Sequence, residues 1–363
     1  MNALRAALAA VALAAACQDP VPPVAVAPAE APRPLLLDPA SLRLEPEPFH
    51  RPAGFEGEPP RVEVRFDETS GELRIGVEGE PVTVFHTRGR PHPYGYPLLG
   101  PGGVPLTRGY PVDPRADEAR DHPHHLSLWF AHGSVGGEDF WHPAADPPAR
   151  IELLGAPRTF SGRGLGGFEA RHRWVASGGR VLAEDELLFL LFPGADGSRL
   201  LSFRWRIRPA GAPLRFGDTK EGTFALRLNP SLRLEGPVAA GRARTATGVE
   251  GAAVWGERAP WISYWGPARR RPGDREAPLL GVTLLDHPDN LRHPTWWHAR
   301  TYGLVAANPF GRHDFEGAPE GSGDFVLPED SELVLRYGLY LHRGGPEEAG
   351  AGEVWRAWAA SVP

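Results

Sequence analysis

The chain has 363 residues, 41% of them hydrophobic, and a formal charge of −6. That length suffices for a sizeable core, and a mildly acidic balance with no basic run argues against nucleic acid as a partner. Cys17 is the sole cysteine, which leaves the folded part without a disulfide, a thiol nucleophile or a thiolate metal site.

In chain order, residues 1–16 read as a secretory signal: Arg5 supplies the charge, Ala6 to Ala16 the apolar run, and Cys17 follows three alanines. The form is that of a lipoprotein signal, with Cys17 as the lipidated residue. Residues 17–41, rich in Pro and Ala, read as an extended tether, so membrane association is expected only through the lipid. A domain is expected over 42–345. Its opening runs, 61–66 and 72–77, alternate with period two around Asp67-Glu-Thr-Ser-Gly71, which predicts a hairpin. Further strands are expected at 81–86, 125–131, 168–176, 181–191, 200–208, 223–228, 279–285 and 333–341. A helix is expected over 346–363, where Val354, Trp355 and Trp358 share a face. No later segment approaches eighteen consecutive apolar residues. Strands without crossover helices predict an all-β fold, a large antiparallel two-sheet sandwich, with one short C-terminal helix.

Chemistry concentrates in two boxes. Five of the fourteen histidines lie between Asp121 and His142, and three more between Asp286 and His298. If Asp121-His-Pro-His-His125 is extended, His122 and His124 share one face and His125 takes the other. Such a pair serves as acid and base or as two metal ligands, with Asp121 to orient one ring. Arg292 in the second box disfavours a cation and suits a carboxylate or sugar hydroxyl. Trp129, Trp141, Trp296 and Trp297 offer flat faces for a sugar ring or for the core. Gly217-Asp-Thr-Lys220-Glu221-Gly222 lies between strand-like runs and holds the only lysine. It is not a phosphate loop, because the glycine spacing is wrong and no helix follows. A Pro/Gly loop from Arg90 displays Tyr94 and Tyr96 and leads to Arg108.

The run Tyr96 to Arg108, the box Asp121 to Gly133, the stretch Gly217 to Phe224 and the segment Asp286 to Asn308 together resemble a bacterial family labelled "methane oxygenase PmoA", also treated as a domain of unknown function. The similarity spans roughly 90–341. Members resemble exported proteins of carbohydrate-degrading bacteria, and the label implies no methane chemistry, since that enzyme's subunits span the membrane. Leu126 departs from the pattern, in which Arg follows the histidine pair.

Three functions follow. The leading expectation is an exported, lipid-anchored enzyme (a lyase, hydrolase or epimerase) acting on a small-molecule or glycan substrate, a carbohydrate or oxidised sugar. Its catalytic candidates are His122, His124, His125, Lys220, Glu221, His293 and His298. Its binding candidates are Tyr94, Tyr96, Arg108, Asp121, Trp129, Arg292, Trp296 and Asn308. The site as read requires no cofactor. The second expectation is a metal-dependent hydrolase or oxygenase, with a divalent ion on His122, His124 and His293. The third is a non-catalytic glycan-binding module.

Overall fold

A computed structural model describes residues 58–116, 118–271 and 274–361. The signal, Cys17 and the tether lie outside them, as does the expected start of the domain at residue 42. The first hairpin forms as its sequence dictates. Val62 and Val64 are buried while their neighbours face out, and Asp67 closes the turn by accepting the amides of Thr69 and Ser70 at 2.9 and 3.3 Å. Gly71 supplies the left-handed residue, at φ 70°.

Two large antiparallel sheets dominate. Across the first, the main strands run 296–299, 304–308, 222–227, 128–132, 94–100, 80–86, 72–77 and 61–67. Across the second they run 242–245, 261–267, 279–286, 333–343, 199–209, 181–193, 166–175 and 150–153. The inner faces meet through aromatic side chains. Phe85 of the first sheet packs edge-on against Phe168 and Phe189 of the second, with ring centres 5.4 and 5.3 Å apart. Phe130 stacks on Trp205 at 4.1 Å, and Phe224 on Tyr337 at 5.2 Å. These rings belong to one apolar core of buried residues contributed by both sheets.

The expected helix forms only at Ala351–Ser361, after a turn from Pro346, and lies on the outer face of the second sheet. Trp358 donates to the Ser202 hydroxyl at 2.9 Å and Trp355 to the Asp286 carbonyl at 2.9 Å. Among the described residues no helix is long and apolar enough to cross a membrane.

Two expectations about local structure are corrected. The segment read as a Pro/Gly loop contains a strand, Tyr94–Gly100. The expected strand 125–131 begins only at Leu128, because Ser127 takes a positive φ of 74°.

Candidate functional site

Alternation along the strands puts Phe224, Phe130 and Trp297 on the core side of the first sheet, so the residues between them face outward. Register then sets the outward residues in rows. Trp129 pairs with Ala225, Ala225 with Ala306, and Ala306 with His298. One step along, Arg227 pairs with Leu304, and Arg300 hydrogen-bonds to Leu304 through its backbone. Three interstrand steps separate Trp129 from His298, about 14 Å between Cα atoms at ordinary spacing. The residues between them, Ala225 and Ala306, are small and fully buried.

The first histidine box lies against this face, but not extended. His122 has φ 46°, and the His125 amide donates to the His122 carbonyl at 3.0 Å, so the segment is a turn. The turn reverses the expected pairing. His122 and His125 stack in parallel at 4.7 Å, while His124 meets His125 edge-on at 4.4 Å and stacks on His142 at 4.2 Å. His125 continues the stack onto Trp129 at 5.3 Å.

Asp121 anchors the turn. The buried guanidinium of Arg108 donates to its carboxylate and to the carbonyls of Ala119, Asp121 and His122. Arg227, also buried, donates to both Asp121 oxygens at 2.8 and 3.0 Å and to Nδ1 of His125 at 3.1 Å. Arginine only donates, so Nδ1 of His125 carries the lone pair and Nε2 the proton. Tyr302 completes the group: its ring stacks on His122 at 5.2 Å and underlies the Arg227 guanidinium at 4.5 Å.

Burial holds His124 and His125 neutral. Burial, then the neighbouring His142 and His122, lowers His124 to about 3. His125 is pushed far below the ordinary histidine range by burial and by His124 and Arg227. Burial opposes ionisation of Asp121, yet Arg227 and Arg108 outweigh it and bring the carboxyl to about 2.

On the far side, His298 donates from Nδ1 to the Lys220 carbonyl at 2.7 Å. A carbonyl only accepts, which fixes the tautomer and leaves the lone pair on Nε2. Burial, and next the Arg300 charge, lowers His298 to about 3. The following residue of the Lys220 loop, Glu221, is pushed up by burial against the opposing pull of Lys220. Lys220 itself is paired, with Nζ 3.4 Å from Asp314 and 3.9 Å from Glu221. Tyr302 feels both Glu221 and Arg300, and so joins this side to the histidine turn.

The second box therefore divides. His298 belongs to the outer face. His293 is bound through Nδ1 to Asp286 at 2.7 Å and lies parallel to Trp355 of the C-terminal helix. Asp286 also accepts from Thr295 and Asn290, so this group staples a loop at the end of the second sheet. Arg292 is spent on the carbonyls of Pro309, Gly323 and Asp324. Asn308 holds the Lys220 loop by donating to the Thr219 carbonyl at 2.8 Å.

Tyr94 is buried with its ring stacked on His86 at 4.7 Å, and Tyr96 donates its hydroxyl to Asp113 at 3.1 Å. Trp296 donates to Glu316 at 3.0 Å. Trp129, Trp141, Trp296 and Trp297 are each at most 2% exposed, so none presents a face to solvent. Among the described residues no three His, Cys, Asp or Glu side chains converge to hold a metal ion. Among the described residues His293 meets Asp286 and Trp355 and neither His122 nor His124.

Arg227, Arg300 and Tyr302 were not singled out from the sequence. A signal for Arg227 existed: an arginine on the outward alternation of a strand buried at every position. Tyr302 sits in a turn with no comparable pattern.

The fold and site define a two-sheet β protein with a cluster of neutral histidines, guanidinium groups and one perturbed carboxyl on an outer sheet face. Over residues 72–356 the chain matches a family described as "Family of unknown function (DUF6807)", and it belongs to that family. No curated protein sequence matches it. Among solved structures it is similar to a polysaccharide lyase (11% identity, TM-score 0.29, covering 82% of this chain and 35% of that one). It is similar to a beta-arabinopyranosidase (11% identity, TM-score 0.31, covering 80% and 40%). It is also similar to a GalM/aldose epimerase homologue from C. elegans (8% identity, TM-score 0.29, covering 78% and 100%). The chain thus spans about a third of the lyase and two fifths of the arabinopyranosidase. The functional reading rests on the site.

Proposed function

We propose that this protein is an exported, lipid-anchored member of its family, the group labelled PmoA-like, that acts on a carbohydrate by acid–base chemistry on the outer face of the first sheet. The observation that carries the reading is the hydrogen bond that ties a buried neutral imidazole to the loop bearing a raised carboxyl. His298, 2% exposed and flanked by Trp255 and Phe315, keeps its lone pair on Nε2 and is held by the carbonyl of the residue that precedes Glu221. In this reading His298 takes a proton from a sugar hydroxyl or an activated C–H, and Glu221 returns one to the opposite side. Arg227 and the Tyr302 hydroxyl stabilise the oxygen on which negative charge develops. His124, a second neutral imidazole with Nδ1 buried and unpartnered, lies on the Trp129 side of the same face and is the alternative base. Asp121 and Arg108 position the turn and do not exchange protons.

The test is a screen of glycosides, keto-sugars and uronates for turnover by the purified chain, followed on the best substrate with His298→Gln, His124→Gln and Glu221→Gln. Loss of one positioned acid or base costs about 10²–10⁴-fold in kcat/KM, so at least two of the three variants fall in that range. Full activity in all three refutes the reading.

A further inference from the structure

Among the described residues around the histidine turn and His298, one cation has neither a carboxylate nor a carbonyl partner. Arg108 and Arg227 share Asp121, Lys220 faces Asp314, Arg292 is saturated by carbonyls, and Arg312 pairs with Glu316. Arg300 differs. Among the described residues no carboxylate lies at ion-pair distance from it. Its guanidinium carbon instead lies over the Trp255 ring at 4.3 Å, and its charge acts on Tyr302 and Glu221. By alternation it shares the outward face with His298, two residues before it, and by register it lies across Leu304 from Arg227.

A guanidinium over an indole ring is covered on that side and keeps N–H donors on its edge, and that planar edge matches a carboxylate in two parallel hydrogen bonds. The surroundings limit the charge that fits. Glu221 acts on Tyr302, and Asp314 acts on His298. A dianion such as a phosphate ester would bring two charges to a guanidinium that carries one, because Lys220 is already held by Asp314. A monoanion meets one cation with one charge. We propose that the substrate is an acidic sugar, a uronate or aldonate unit, and that the Arg300 guanidinium receives its carboxylate. The inference rests on the carbohydrate reading above and narrows it: Arg300 sets specificity, while His298 and Glu221 carry the chemistry.

The test measures binding by titration calorimetry and saturation-transfer NMR to matched pairs: glucuronate with glucose, galacturonate with galactose, and the corresponding trisaccharides, with glucose 6-phosphate as the dianion. The native chain is expected to prefer one uronate over its neutral partner by at least tenfold. Arg300→Gln brings that ratio to about one, and Arg300→Lys retains part of it, because lysine keeps the charge and loses the planar edge. An unchanged denaturation midpoint checks that each variant is folded. Equal binding of a uronate and its neutral partner overturns the inference and leaves the acid–base reading standing. So does a preference that survives Arg300→Gln. Tighter binding of glucose 6-phosphate than of glucuronate overturns the choice of a monoanion. Binding of no sugar in any pair overturns the inference and the carbohydrate reading together.

Discussion

Replacing Asp121 by Asn tests whether this carboxylate is the anchor of the histidine turn. Two guanidinium groups almost devoid of solvent contact, Arg108 at 2% and Arg227 at 1% side-chain exposure, converge on it, while Asp121 itself is 37% exposed. Its carboxyl falls from 3.8 to about 2, which corresponds to about 2.4 kcal/mol at 1.36 kcal/mol per unit. Solvent screening at a group this exposed reduces the figure to about 1–2 kcal/mol. Asn retains an acceptor but no charge, so both cations stay buried without a counter-ion. The expected loss is about 1–2 kcal/mol at pH 7, or about 2–6 °C in Tm for a domain of this size. A depressed carboxyl contributes stability that is complete above its unfolded value near 3.8 and is lost as pH falls towards 2. The difference between native and variant, measured by urea denaturation, therefore stays constant from pH 8 to pH 5 and shrinks only below about pH 4. A difference under about 0.3 kcal/mol at pH 7, or one already shrinking between pH 7 and pH 5, refutes the anchoring role.

Other outcomes follow from the same geometry. His92, His132 and His342 are held by burial at about 4, and His124 and His298 at about 3. Their contribution to stability is complete above the unfolded histidine value of 6.5 and is lost as pH falls below it; a denaturation midpoint that is flat between pH 6.5 and pH 4 contradicts this. If neutral histidine is the base and protonated Glu221 the acid, the pH–rate profile has no limb near 6.5 on its acid side, and activity declines on the alkaline side as the raised Glu221 carboxyl ionises. An acid limb centred at 6.5 would identify a different base. Phe224, packed between Phe203, Trp205 and Tyr337, is expected to cost about 3–5 kcal/mol on replacement by Ala, read from chemical denaturation; a loss under 1 kcal/mol would mean the inter-sheet core repacks freely. Cys17→Ser is expected to move the protein from the membrane fraction to the soluble fraction of its host, and an unchanged distribution rules out the lipid anchor.

Much of the sheet framework was legible because its strands alternate or run apolar between turn residues. The hairpin at Arg61–Val77 and the long strands Val181–Pro193, Arg199–Pro209 and Leu333–Arg343 all announce themselves this way. Tyr94–Gly100 did not, because Pro97 and two glycines mask a strand whose backbone pairs on both edges. Trp261–Pro267 was missed for a similar reason: glycine and proline close a run that begins as good strand sequence. At the site, the density of histidine, arginine and tryptophan marked the right segments. Their arrangement was hidden. A single positive φ at His122 turns the chain and stacks His122 on His125, reversing the faces that an extended reading assigns. Similarly, the division of the second box between two sheets depends on the loop from Asp286 to Thr295, which local pattern does not encode.

Neutral imidazoles on the outer face of the first sheet are proposed to meet the substrate. Long-range ¹H–¹⁵N spectra of the histidine-labelled chain, recorded from pH 8 to pH 5 with and without the tightest-binding sugar of the matched pairs, test this directly. His124 and His298 are expected to stay neutral throughout, with the His298 proton on Nδ1, and the sugar is expected to shift His298 or His124 while leaving His172 and His342 unmoved. Titration of His298 near 6.5, or a sugar-induced shift confined to histidines away from this face, would contradict the proposal.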